Sequence, residues 1–562
     1  MVDLLSVIKS LNVAKKDGIP RPHKPLLLLL VPLLALPSAC RQSGSAPPQE
    51  ETDSDSSACD SPGPALEVEW LEMNGAVPML SWIPPEAAIA AELSFEDGPW
   101  RQSWTVDVWT PGEALQISFP MPPNLETVVN LRVEYDQGGC TNSALELKNG
   151  PSSRGDLPLF TSTWDPSTAT SRDWFLFDSI LDVDDGVLRG QVVLIQDNGS
   201  LVGNYTLLEA TRTQFVSSTG AGFWSYSQTA YYDPAAIEQH WTSILTLTGW
   251  SGELIQLYDT VPYSHHDWVL SSDERFLTTL TREIIPEILD RCGVAVYGDQ
   301  IIRAEIGGET QEVLWSSVDN AFPLPEGCEV FESVHSTYVS YLNGLSAYGD
   351  TLAASASGSL SSVLVGTADG SWWLMYDNQP PAPELGLETV VDFPSDDRHT
   401  RIFDDPHSAI CTEGVDWGAG SSWPTDAVTC LVSNRRSPYF CHTADLVMLD
   451  RAGRRIHWVA TWPEIGSDDC LAVNENGNIS LIGAPNPAGD GQTRLALFSP
   501  EDAQIDVLQL QINPDGTAEF SSEYMLRETP EDSSTHLKGF FLLAMPSLGS
   551  PHHIERLTPA ER

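Results

Sequence analysis

The run Ser264-His265-His266-Asp267-Trp268 sets two adjacent imidazoles and a carboxylate at the head of an alternating, strand-like segment. An imidazole titrates near neutrality, so it can attack an electrophilic centre or carry a proton to and from a leaving oxygen. The pattern returns downstream with altered lead residues. Pro406-His407-Ser408 opens "PHSAICTEGV", Asp468-Asp469 opens "DDCLAVNENGNISLIG", and Tyr341-Leu342-Asn343 opens "YLNGLSAYGDTLAAS". Counted from His266 through Tyr341 and His407 to Asp468, the leads fall 75, 66 and 61 residues apart. Such regular returns put these four residues at one position of a repeat.

What must position them is a chain of hairpins. Between about 158 and 548 an apolar run, a turn of Asp/Asn-Gly type and a second apolar run recur, as in "VVLIQDNGSLVGNYTL", "SVLVGTADGSWWLMYD" and "LQLQINPDGTAEF". Glycine supplies the positive φ that these tight turns need. Four strands per returning unit over this length predict a β-propeller of about six blades across 158–548. Equivalent positions at the start of each innermost strand would then converge on the central channel. The segment "DERFLTTLTREIIPEIL" is ambiguous between strand and helix.

Ahead of the repeats, seven short alternating runs from Ala65 to Lys148 are separated by Pro, Gly, Asn and Asp. They predict an antiparallel sandwich of the fibronectin type III kind over 65–150. The fold class expected is therefore all-β, a sandwich followed by a propeller, with 549–562 as a C-terminal tail.

The formal net charge is −49. A surface of that sign repels phosphate backbones, which argues against nucleic acid as a partner. Residues 1–39 read as a signal peptide, a basic segment followed by the apolar run "PLLLLLVPLLALPSA" that is short for a bilayer span. "LPSAC" resembles a bacterial lipobox and makes Cys40 the expected lipidation site, with membrane attachment through that lipid. Pro37 stands where such a motif usually carries an aliphatic residue. Residues 40–64, rich in Ser, Pro and acidic groups and lacking aromatics, read as a flexible tether. Export follows, to the periplasm or to the outer membrane and cell surface. Cys59, Cys140, Cys292, Cys328, Cys411, Cys430, Cys441 and Cys470 form an even set without CxxC spacing, so disulfides in sequential order are expected rather than a metal site. No residue pattern asks for a metal or a cofactor.

These leads resemble the bacterial aryl-sulfate sulfotransferases, exported six-bladed propellers preceded by a small β-domain. His265, His266 and Asp267 match that family's His-His-Asp. Asn343 matches its next motif, although Tyr341 replaces the histidine there, and His407 matches the nucleophile, although Ser408 replaces the aspartate beside it. Asn476-Gly477-Asn478 is retained. An arginine expected near Ser355-Ala356-Ser357 is absent. The resemblance implies transfer of a sulfuryl group from a phenolic sulfate ester to a phenol through a sulfo-histidine. His407 would be the nucleophile and His266 or His265 the acid and then base. Asn343 would hold a sulfuryl oxygen, with Tyr341 and Asp267 also lining the substrate site. Small phenols and their sulfate esters are the partners implied. The alternative is an inactive propeller that binds a small ligand or an envelope protein, because loss of one oxyanion donor costs on the order of 10²–10³ in rate.

Overall fold

Apolar side chains at every second position are what make these segments strands. In a computed structural model, Glu126–Tyr135 buries Thr127, Val129, Leu131 and Val133 and turns Arg132 outward. The structure describes residues between Cys59 and Leu557, apart from 149–159, 164–173, 229–242, 319–341, 377–387, 391–402, 414–426, 464–477, 482–491, 529–553 and shorter stretches. The signal segment with Cys40, together with Tyr341, Cys292, Cys328 and Asp468 to Cys470, lies outside the described residues. All described elements named below are strands.

The first eight strands are β1 (Ser61–Pro62), β2 (Glu67–Leu71), β3 (Val77–Trp82), β4 (Ala88–Phe95), β5 (Arg101–Thr105), β6 (Leu115–Ser118), β7 (Glu126–Tyr135) and β8 (Cys140–Lys148). They form two sheets, ordered β1-β8-β7-β4-β5 and β2-β3-β6. Leu80, Trp82 and Ile117 from the smaller sheet share a core with Leu93, Val129 and Leu131 from the larger. A disulfide joins Cys59 to Cys140, and β1 pairs in parallel with β8. The stretch from Cys59 to residue 64, read as the end of a tether, is thus tied to the sheet. A covalent bond and ladder hydrogen bonds outweigh its polar composition.

Six further sheets follow. The first strand after β8 is β9 (Phe160–Ser162). The first sheet contains β10 (Trp174–Val183), β11 (Val187–Gln196) and β12 (Leu201–Thr206). The second contains β13 (Thr211–Val216), β14 (Gly222–Gln228), β15 (Ser243–Gly249) and β16 (Leu254–Asp259), and the third β17 (Ser264–Leu270), β18 (Phe276–Ile284), β19 (Tyr297–Glu305) and β20 (Gln311–Ser316). The fourth runs β21 (Leu342–Tyr348), β22 (Thr351–Ala356), β23 (Ser362–Gly366), β24 (Trp372–Tyr376) and β25 (Glu388–Val390). The fifth holds β26 (Pro406–Glu413), β27 (Val428–Arg436), β28 (Cys441–Asp450) and β29 (Arg455–Trp462). The sixth holds β30 (Asn478–Leu481), β31 (Gln492–Ser499), β32 (Gln504–Ile512) and β33 (Ala518–Glu528). Within the ambiguous segment, Phe276–Ile284 forms strand β18.

Both ends of the chain complete other sheets. β9 pairs with β33 at the edge of the sixth sheet, and β34 (Ile554–Leu557) pairs with β10 in the first. The segment expected as a C-terminal tail therefore contributes a strand.

The hairpin turns carry the expected glycines at positive φ: Gly199 at 80°, Gly252 at 85°, Gly370 at 81° and Gly516 at 86°. Arg454, at 52°, does the same in the turn between β28 and β29 without that freedom.

Successive sheets stack face to face. Trp224, Leu245 and Leu247 of the second pack on Trp268 and Leu277 of the third. Leu280 and Ile301 of the third pack on Leu345 and Leu364 of the fourth, Val363 and Val365 of the fourth on Cys411 and Val432 of the fifth, and Leu446 of the fifth on Leu497 of the sixth. A strand such as β23, sandwiched between sheets, is buried along its whole length. The core of the leading two-sheet body runs on into Leu176, Tyr205 and Trp250 of the first two sheets.

Candidate functional site

The lead residues fall where the first strands of neighbouring sheets touch. β13 contacts β17, β17 contacts β21, β21 contacts β26, β26 contacts β30, and β34 contacts both β30 and β13. Side-chain bonds fix the register between three of them. Asp267 Oδ2 accepts the Leu345 amide at 3.0 Å, and the Ser346 hydroxyl donates to the Ala409 carbonyl. The start of β17 therefore lies beside the start of β21, and that of β21 beside β26.

Four of these strands are interrupted at their leads. In β17 the pairing with β18 steps from His265–Leu280 to Trp268–Thr279, leaving His266 and Asp267 as extra residues. In β21 it steps from Leu342–Ala356 to Gly344–Ser355, leaving Asn343. In β26 it steps from Pro406–Asn434 to Ser408–Ser433, leaving His407. β13 shows the same break between Thr211 and Gln214, which sets Arg212 and Thr213 in the bulge. A bulge leaves its extra residue out of the ladder and re-aims it, which is why bulges concentrate beside active sites.

The register corrects one expectation. The residue of the fourth sheet equivalent to His266 and His407 is Asn343, two positions past Tyr341. The sequence spacing alone could not resolve this, because a bulge is a property of pairing. Arg212 escaped sequence reading for the same reason, since β13 carries no histidine-bearing lead to align.

His265 and Asp267, expected in catalytic and substrate-binding roles, make buried contacts between sheets. His265 is 2 % exposed, and its Nε2 lies 3.0 Å from Oδ1 of Asp299, itself 1 % exposed. The approach lacks the alignment of a hydrogen bond. Asp299 Oδ2 accepts the Leu342 amide at 2.9 Å, while Asp267 Oδ1 takes the Trp268 amide and its backbone carbonyl takes the Thr279 hydroxyl. Both carboxylates thus fasten the third sheet to the fourth at the strand that carries Asn343. Buried charges need partners of this kind.

The fifth sheet fixes its own lead through another carboxylate. Asp445 is fully buried and accepts from Asn434, Thr443 and, at 2.6 Å, Thr461. Asn434 is the Cα partner of Pro406, the residue before His407. Arg435 and Arg436 follow it on β27, at the same end of the sheet.

Of the expected disulfides, Cys59–Cys140 and Cys411–Cys430 are formed, each between neighbours in sequence order. Cys441 lies at the start of β28. Among the described residues no group of three His, Cys, Asp or Glu could hold a metal ion, and no helix is long and apolar enough to cross a membrane.

No family profile matches the chain, and no curated protein is similar to it. Among solved structures it is similar to a Synechocystis apocarotenoid oxygenase mutant, at 11% identity over 83% of this chain and 94% of that one, with a TM-score of 0.24. It is also similar to a prolyl endopeptidase, at 11% identity over 72% of this chain and 49% of that one, with a TM-score of 0.26. Scores of that size carry no argument about mechanism.

Proposed function

We propose that the chain is an exported, lipid-anchored sulfuryl-transfer protein. In this reading a fibronectin III-like sandwich precedes a six-bladed propeller whose axial bulges form the site. The sheet orders β2-β3-β6 and β5-β4-β7-β8 support the sandwich. Six meandering sheets, first strands that touch in a closed order, and edge strands supplied by both chain ends support the propeller. The disulfides are consistent with an oxidising compartment. The leader pattern ending at Cys40 supports export and lipidation.

One observation carries the functional reading: His266, Asn343 and His407 occupy the bulged lead positions of three neighbouring inner strands. In this reading a His407 ring nitrogen attacks the sulfur of an aryl sulfate, an S–N bond forms and the S–O bond to the ring breaks. The leaving phenolate takes a proton from His266. A second phenol then returns that proton to His266 and attacks the sulfo-histidine, restoring His407. Asn343 donates to a sulfuryl oxygen, and Arg212, Arg435 or Arg436 supplies the positive charge absent near Ser355.

The test uses purified protein with 4-nitrophenyl sulfate and phenol, beside His407→Ala. Nitrophenolate release and a sulfuryl-sized mass increase on a His407 peptide, both lost in the variant, are expected. Equal traces in both proteins would remove the transfer reading. Saturable binding without turnover would favour the non-catalytic alternative, for which Ser408 in place of a carboxylate already speaks.

A further inference from the structure

Where the second and third sheets meet, a cavity of about 290 Å³ opens to solvent. Trp224 and Tyr258 of the second sheet form one wall, and Asp273, Glu274, Arg275 and Glu305 from hairpin turns of the third form the other. The turn bearing Asp273 to Arg275 follows the far end of β17, whose bulge at His266 and Asp267 lies toward its start, so the cavity is at the other end of that strand. It is a separate place in the molecule, and nothing in the proposed sulfuryl chemistry uses it.

We infer that this cavity is a receptor for a small alkylated ammonium ion. The indole of Trp224 and the phenol of Tyr258 stack with centroids 6.3 Å apart and planes 29° from parallel. Trp224 is 3 % exposed, so Tyr258 presents most of the aromatic surface to the cavity. Aromatic faces attract cations, most effectively those that water holds weakly, and alkylated ammonium groups are of that kind.

The charge balance agrees. Three carboxylates face a single guanidinium, and Arg275 is engaged by Glu305 at 3.6 Å and by the Phe276 ring at 5.6 Å. Asp273 accepts from the Ser271 hydroxyl at 2.6 Å and from the Arg275 amide, contacts that favour its charged form. Glu274 receives the Ser217 hydroxyl at 3.4 Å. It also sits at φ 53°, a left-handed conformation that glycine adopts freely and glutamate does not. A hard divalent ion would need converging carboxylates, and these three do not converge to metal-binding geometry. The volume, at the low end for ligand cavities, limits the guest to a few heavy atoms.

The experiment titrates the whole protein with tetramethylammonium chloride at constant ionic strength, following tryptophan fluorescence and heat. Saturable binding is expected, with Glu274→Gly and Tyr258→Leu each raising Kd about tenfold. Glu274→Gly should raise Tm at the same time, because it relieves the left-handed turn, so its loss of binding is not a loss of fold. An equal response to sodium chloride or to neutral tert-butanol would overturn the proposal. So would a Kd unchanged by Glu274→Gly. No readout depends on sulfuryl transfer, so this inference and that reading fail separately.

Discussion

His265 Nε2 stands 3.0 Å from Asp299 Oδ1, and the other oxygen of Asp299 holds the Leu342 amide of the next sheet. A buried carboxylate therefore joins the His-His-Asp lead of one sheet to the strand bearing Asn343. Removing the carboxylate leaves the buried Leu342 amide without its acceptor, at a cost of about 1–3 kcal/mol. Asp299→Ala is expected to lower the urea midpoint accordingly, with cooperativity kept. A loss under about 1 kcal/mol would show that the pair is not structural.

Asp267 predicts a second structural outcome. Its two oxygens take the amides of Trp268 and Leu345, and an asparagine would present a donor to one of them. Asp267→Asn should cost about 1–3 kcal/mol, the penalty for an unsatisfied buried donor. Because the residue acts through the joint, Kd for an aryl sulfate on folded protein should change far less than in His407→Ala. Urea melts and a binding titration on the same preparations separate the two.

These two residues also mark where the sequence stopped being legible. Strands were readable because alternation and Asp/Asn-Gly turns are local signals; Gly199, Gly370 and Gly516 adopt the positive φ their turns require. All seven runs between Ala65 and Lys148 became strands for the same reason. The bulges were not readable, since they arise from pairing between segments. His265 and His266 are adjacent in sequence, yet one is spent on Asp299 and the other lies in the bulge. The strand at Ile554 was missed because four residues are too few to show a period.

The disulfides make a direct prediction. Cys411 and Cys430 are opposite partners on β26 and β27, 19 residues apart, and Cys59 and Cys140 are 81 apart. Chain-entropy arguments give about 3 and about 4.5 kcal/mol for loops of those sizes. The double variants Cys411→Ala/Cys430→Ala and Cys59→Ala/Cys140→Ala should each lower Tm, and a non-reduced peptide map should recover both linked pairs. Alkylation of all four cysteines without reductant would refute the pairing.

Two buried tyrosines set the alkaline limit. Burial pushes the phenols of Tyr205 and Tyr226 above their ordinary value, despite the hydroxyl contact of Tyr226 with Thr260 at 3.1 Å. Since the folded pKa exceeds the unfolded one, their contribution is complete below about pH 10 and is lost as pH rises toward the folded values. Absorbance titration should show two tyrosines that ionise only with unfolding. Tyr226→Phe should shift the alkaline midpoint upward, and an unmoved midpoint would count against it.

The axial bulges yield the most discriminating series. If His407, Asn343 and Arg212 act on one anion, their loss should read differently. Asn343→Ala removes a neutral donor and should lower kcat by on the order of 10²-fold with a smaller change in Kd for 4-nitrophenyl sulfate. Arg212→Gln removes charge from both ground and transition states, so it should weaken binding of the sulfate ester and make the remaining affinity less sensitive to salt. Arg435→Gln serves as the competing assignment, because Arg435 lies one residue past the partner of Pro406. A salt-sensitive loss in Arg435→Gln and none in Arg212→Gln would move the charge to the fifth sheet. Loss in neither would mean that the bulged leads do not meet an anion, and the sulfuryl reading would fall with them.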